Sequence, residues 1–114
     1  MLGGRLFKHS AVTCGAATAE AARTISADIF LLGVTGVHEE AGLTTGDADE
    51  AALKRTLAGR SAETYVLASA EKISTASPFT VLPPTGVTAI ITDAAPDHPT
   101  LLALRAAGVE IIQA

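Results

Sequence analysis

A chain of 114 residues, 48% hydrophobic and 18% charged, has the size and balance of one globular domain with a buried core. A formal charge of −4, eight scattered basic residues, no tryptophan and 4% aromatic residues exclude a nucleic-acid surface built on phosphate attraction or base stacking. No apolar run approaches the roughly 20 residues that span a bilayer, and the single Cys14 can form no internal disulfide, so a soluble cytoplasmic protein without a membrane partner is expected.

Met1 is followed by Leu-Gly-Gly-Arg, which has neither the basic region nor the extended apolar stretch of a signal peptide. Residues 15–26, GAATAEAARTIS, form an alanine-rich pattern that predicts a helix. ADIFLLG, 27–33, reads as a buried strand from its unbroken Ile-Phe-Leu-Leu and closing glycine. A connection of about a dozen residues follows, carrying Gly33, Gly36, Gly42 and Gly46; that length in a compact domain usually serves function. Gly42 and Gly46 are expected to supply positive φ in turns, which competes with any ligand role.

Asp47 then opens a helix over 47–59, with Glu50 completing a capping box, Leu53 and Leu57 one turn apart, and Gly59 as the stop. ETYVLAS, 63–69, is a second buried strand. SPFTVLPPTG, 77–86, is a proline-bearing connection with room for one short edge strand at FTVL. VTAIITD, 87–93, is a strand, DHPTLLALRAAG, 97–108, a helix opened by Asp97 and closed by Gly108, and VEIIQ, 109–113, a last strand. Alternation of this kind predicts a layered α/β/α domain with a mainly parallel sheet covered on both faces.

In such sheets ligands sit beyond the carboxyl ends of the strands. Three stretches leave those ends: the glycine-rich connection, SAEKIS at 69–74 with Lys72, and Thr92-Asp93. Glycine amides, a capped helix start and a lysine together suit an anion, phosphate above all. Each has a plainer reading. Glu50 caps its helix and lies one turn before Lys54, and Lys72 alone reads as a solvated surface lysine. His38 beside Glu39 and Glu40 lacks a metal-ligand set and reads as loop charge; His98 belongs to a helix start, and His9 is similar. No base is placed to activate Cys14, and no metal or cofactor is implied.

The order LGG (2–4), CGAATAE (14–20), ADIFLLGVTGVHEEAGLTTGDADEAALKR (27–55), VLASAEKI (66–73), AIITD (89–93) and LRAAGVEIIQA (104–114) resembles the effector-sensing domain of DeoR-family bacterial transcriptional regulators. The resemblance spans nearly the whole chain. It implies a fold related to ribose-5-phosphate isomerase and glucosamine-6-phosphate deaminase, used to sense a phosphorylated sugar or related metabolite and not as an enzyme. Lys72 matches the lysine of the family's Asp-x-Ser-Lys pattern, which in the related isomerases helps to hold substrate phosphate. Gly33, Gly36, Gly42 and Thr44 match its glycine loop and Glu50 its Glu-Ala helix start. These six residues are the effector-binding candidates that the resemblance implies.

Ser69 stands where the pattern has aspartate and Glu71 where it has serine, so altered or lost polar contacts beside Lys72 are expected. The resemblance begins in the middle of the family's domain. An amino-terminally truncated, single sensor domain is therefore expected, one that reaches DNA only through a helix-turn-helix domain absent from this sequence. An incomplete sheet leaves an unpaired edge, so a homo-oligomer is expected. A rival reading is a divergent sugar-phosphate isomerase or deaminase fragment with Glu50 as base and Lys72 on the phosphate, and a third is a dimerisation module without a ligand.

Overall fold

A computed structural model describes residues 27–114. The helix expected at 15–26, together with His9 and Cys14, lies outside the described residues.

Four strands form a parallel sheet: β1 (Ala27–Gly33), β4 (Ser61–Ala68), β6 (Ala89–Thr92) and β7 (Ile111–Gln113), in the order β1-β4-β6-β7. Three fall within the stretches whose short apolar runs predict buried strands, and β4 begins two residues before its stretch at 63–69. Helix α1 (Ala48–Gly59) crosses from β1 to β4, and α2 (Pro99–Ala106) from β6 to β7. Both crossovers step in the same direction along the sheet. Right-handed connections must then place both helices on one face, and Ala51, Leu101 and Leu104 accordingly share one buried cluster with Leu32, Val66 and Ile90.

Among the described residues, the same rule brings no helix to the other face. Ile29 and Leu31, each 54% exposed, and Leu67 and Ile112 point away from that cluster. The expected α/β fold with a mainly parallel sheet is present, and the described helices cover one of its faces. Strand composition reports the burial that a face needs, whereas the handedness and direction of the crossovers decide which face receives the helices.

The glycine-rich connection is not a loop. It folds into a hairpin of β2 (Gly36–His38) and β3 (Gly42–Thr45), and β5 (Phe79–Leu82) joins the outer side of β3 to complete an antiparallel sheet. The short edge strand expected at FTVL is thus present. Val37, Leu43 and Val81 bury themselves in the main core, while Arg55 on α1 donates to the carbonyls of Val81 at 3.0 Å and Thr80 at 2.8 Å. That bridge pins the edge strand to the helix.

Helix ends differ from expectation in detail. Asp47 caps α1 by accepting from the amides of Asp49 at 2.8 Å and Glu50 at 3.3 Å, as its position demands. Glu50 turns its carboxylate to Lys54 at 2.7 Å, and Gly59 remains inside the helix, with Arg60 closing it at φ −98°. At α2 the cap is His98, not Asp97: its Nδ1 accepts from the Thr100 amide at 3.1 Å. Pro99, at the first helical position, leaves His98 immediately outside and in reach of that amide. Gly108, at φ 93°, follows the Ala107 cap of α2 and stops that helix as expected.

Candidate functional site

The strand ends are level. Gly33 pairs with Leu67, Ala68 with Thr92, and Thr92 with Gln113, so the segments leaving β1, β4 and β6 emerge on one rim. Beyond β4 the chain makes a single 3-10 turn, Ala70–Lys72, and then an irregular run to Ser77 that binds the hairpin. Ile73 bridges Val37, and the Ser74 amide donates to the Val37 carbonyl at 2.7 Å. The Thr75 hydroxyl donates to the carbonyls of Lys72 at 2.9 Å and Thr35 at 3.3 Å. The hydroxyls of Thr35 and Ser77 share a hydrogen bond of 2.6 Å. Ser74 holds this path at φ 72°, a backbone strain that a non-glycine residue tolerates only where its surroundings fix it.

The expected residues divide by what their atoms already do. Gly33 ends β1, and its carbonyl accepts from Lys54 Nζ at 2.7 Å. That ammonium is buried and also pairs with Glu50 at 2.7 Å, so Gly33 and Glu50 are brought together through Lys54. Thr44 is fully buried. Its hydroxyl accepts from the Ser77 amide at 2.8 Å and donates to the Gly36 carbonyl at 3.4 Å.

Gly36 has no room for a side chain, because a Cβ would lie 2.6 Å from the Thr75 carbonyl oxygen and 2.7 Å from Thr44 Oγ1. Gly42 carries φ 86° at the end of the turn through Glu39, Glu40 and Ala41, packed on Leu82 and Pro83. The positive-φ reading therefore holds for Gly42 and fails for Gly46, whose φ is not left-handed and around which a Cβ would meet open space. His38 organises the same turn: Nδ1 accepts from the amides of Glu40 at 3.0 Å and Ala41 at 3.1 Å, and Nε2 lies 3.6 Å from Glu39. Among the described residues, no three histidine, cysteine or acidic side chains converge as a metal site.

Lys72 is different. Its backbone is bonded into the turn, yet its half-buried side chain ends in an ammonium with no hydrogen-bond or ion-pair partner among the described residues. Beside it, the Ser69 hydroxyl donates to Glu71 Oε1 at 2.6 Å. That bond, with support from Glu71's own amide and from the charge of Lys72, holds the Glu71 carboxyl below the usual glutamate range. A serine and a carboxylate thus still pair next to the lysine, with their order in the chain exchanged.

From the third stretch, Asp93 Oδ1 accepts from the Ala70 amide at 2.8 Å, joining the β6 end to the turn that carries Lys72. Sequence reasoning placed Asp93 on the rim without this link, and it treated Lys54 only as a helix partner of Glu50. The i,i+4 spacing was visible; the burial that turns Lys54 into a tie between α1 and β1 was not.

The Lys72 ammonium, unpaired among the described residues and beside a carboxylate bonded to a serine, presents a positive charge that suits an anion. Comparison with known proteins identifies the family. The family described as "DeoR C terminal sensor domain" matches residues 1–94. The chain is 37% identical over 92 residues, 81% of its length and 36% of the relative's, to the HTH-type transcriptional regulator FruR of Bacillus subtilis (strain 168). It is 29% identical over 112 residues, 98% of its length and 42% of the relative's, to a protein of Escherichia coli O157:H7 named for transcriptional repression of the aga operon. The chain thus spans less than half the length of these curated relatives.

Proposed function

The chain belongs to the family of DeoR C-terminal sensor domains, and we propose that it binds a small phosphorylated sugar or related metabolite as the effector-binding domain of a transcriptional regulator. The observation that carries this reading is the ammonium of Lys72, unpartnered among the described residues and borne by the turn that leaves β4, on the rim shared with the ends of β1 and β6. Phosphate supplies the charge to complement it, and the polar hairpin and Ser69–Glu71 pair offer hydrogen-bonding groups for sugar hydroxyls.

Of the other five candidates, Thr44, Gly36 and Gly42 support the hairpin, and Gly33 and Glu50 are held by Lys54. Their contribution is to hold the hairpin and the run that follows Lys72 in place. Effector binding would alter operator affinity through a DNA-binding part of the regulator, and only to the extent that the ligand prefers one of two conformations.

The rival enzyme reading asks Glu50 to act as a base, and its carboxylate is already paired with the Lys54 ammonium at 2.7 Å. Thermal unfolding with a panel of sugar phosphates, with aldose–ketose turnover measured on the same samples, tests the proposal. A melting temperature raised by at least one sugar phosphate and not by the parent sugar, with no turnover and with the rise lost in Lys72→Ala, is expected. Turnover, or no rise with any member of the panel, contradicts it.

A further inference from the structure

The turn that presents Lys72 is short, and a single 3-10 turn has little stability of its own. Backbone bonds close it nonetheless: Lys72 N donates to Ser69 O at 3.0 Å and Ile73 N to Ala70 O at 3.1 Å. Ser69, at the N-cap position, makes no side-chain cap bond; its hydroxyl donates to Glu71. The first amide of the turn, Ala70 N, lies out of reach of such a cap and donates to Asp93 Oδ1 at the end of β6 at 2.8 Å.

Asp93 is suited to that task by its neighbours. Thr92 and Ala94 on either side are 1% and 2% exposed. Thr92 Oγ1 accepts from Ala94 N at 3.2 Å, and the Thr92 carbonyl accepts from Ala114 N at 2.9 Å. The backbone on which Asp93 stands is thus fixed by core residues and by the end of β7, while its own side chain is exposed and free of any packing role. The register Ala68↔Thr92 puts Ser69 and Asp93 side by side, one residue beyond their paired strands.

We propose that Asp93 is a positioning residue for the anion site: by holding the Ala70 amide it sets the 3-10 turn, and so the direction in which Lys72 is offered to the ligand. This rests on the anion-binding reading of Lys72 above. The role belongs to the oxygen as a hydrogen-bond acceptor and not to its negative charge, which by itself opposes an anion nearby. Asparagine keeps an acceptor oxygen and removes that charge. The two properties can therefore be separated.

The test is a titration of the full chain with inorganic phosphate and with glucose 6-phosphate, followed by amide NMR, for the natural sequence, Asp93→Ala and Asp93→Asn. Hydrogen exchange at the Ala70 amide is read in parallel. Loss of one positioned hydrogen bond is expected to weaken phosphate binding about fivefold in Asp93→Ala, with faster exchange at Ala70. Asp93→Asn is expected to keep Ala70 protection and to bind phosphate at least as well as the natural sequence.

Equal or tighter binding in Asp93→Ala, with Ala70 exchange accelerated, overturns the positioning role and leaves the Lys72 reading standing. Equal weakening in both variants also overturns it, because charge would then matter and the acceptor would not. If the natural sequence shows no shift with either probe, the Lys72 reading itself fails and this inference falls with it.

Discussion

Lys54 Nζ, buried beneath α1, donates to the Gly33 carbonyl at 2.7 Å while pairing with Glu50 at 2.7 Å. One side chain therefore fixes the last residue of β1 against the first turns of the following helix. Replacing Lys54 with methionine keeps most of the apolar stem and leaves both the carbonyl and the carboxylate without their donor. A loss of about 2 kcal/mol is expected, read as a lower urea midpoint at unchanged slope. An unchanged midpoint would mean that the tie contributes nothing.

The glycines of the hairpin segment should separate cleanly. Gly36→Ala drives a methyl to 2.6 Å from a backbone oxygen and must displace the run of residues that binds Lys72 to the hairpin. It is expected to cost about 2 kcal/mol or more. Gly46→Ala places the same methyl in open space on a backbone that alanine adopts freely, and should be neutral or stabilising by up to about 1 kcal/mol. Urea unfolding of the pair decides it, and equal effects would contradict the geometry.

Ser74 offers the converse case. At φ 72° an L side chain is strained, and glycine is not. Ser74→Gly retains the amide that donates to the Val37 carbonyl and is expected to raise stability by up to about 1 kcal/mol. Ser74→Val should lower it, since a β-branched side chain tolerates this conformation least. A destabilised glycine variant would show that the serine side chain contributes more than its backbone costs.

Glu71 gives a dependence on pH. The Ser69 hydroxyl is the main reason that its carboxyl lies low, followed by its own amide and the charge of Lys72. A depressed folded value means a stabilising contribution present above the unfolded value and lost as pH falls through the folded one. Glu71 is exposed, so the effect on stability is small, but its titration is directly visible. Ser69→Ala should move the Glu71 midpoint upward by NMR, and an unmoved midpoint would discard the hydrogen bond as the cause.

The sequence made much of this fold readable where local chemistry decides it. The strand at ADIFLLG, the Asp47 cap and the Gly108 stop each depend on residues within a turn or two of one another. The hairpin escaped because its strands are three and four residues long and bury threonines where an apolar pattern would be sought. Even so, Val37, then Glu39-Glu40-Ala41-Gly42, then Leu43-Thr44-Thr45 is a β-prone pair around a glycine-closed turn, and it carried a usable hairpin signal.

The choice of the face that α1 and α2 cover and the burial of Lys54 depend on topology and were beyond any local pattern. At the candidate site, the amino-acid pattern marked Lys72 and the rim, but it could not tell a glycine needed for close packing, such as Gly36, from one that is free, such as Gly46. Nor could it show that Ser69 and Glu71 would bond to each other.

The central claim is that the Lys72 ammonium receives an anionic effector. Calorimetric titration of the full chain with glucose 6-phosphate and with glucose, repeated on Lys72→Ala and Lys72→Arg, tests it most directly. Saturable binding of the phosphorylated sugar only, weakened at least about tenfold in Lys72→Ala and partly restored in Lys72→Arg, is the predicted result. Binding of equal strength in Lys72→Ala, or equal affinity for sugar and sugar phosphate, would contradict the account.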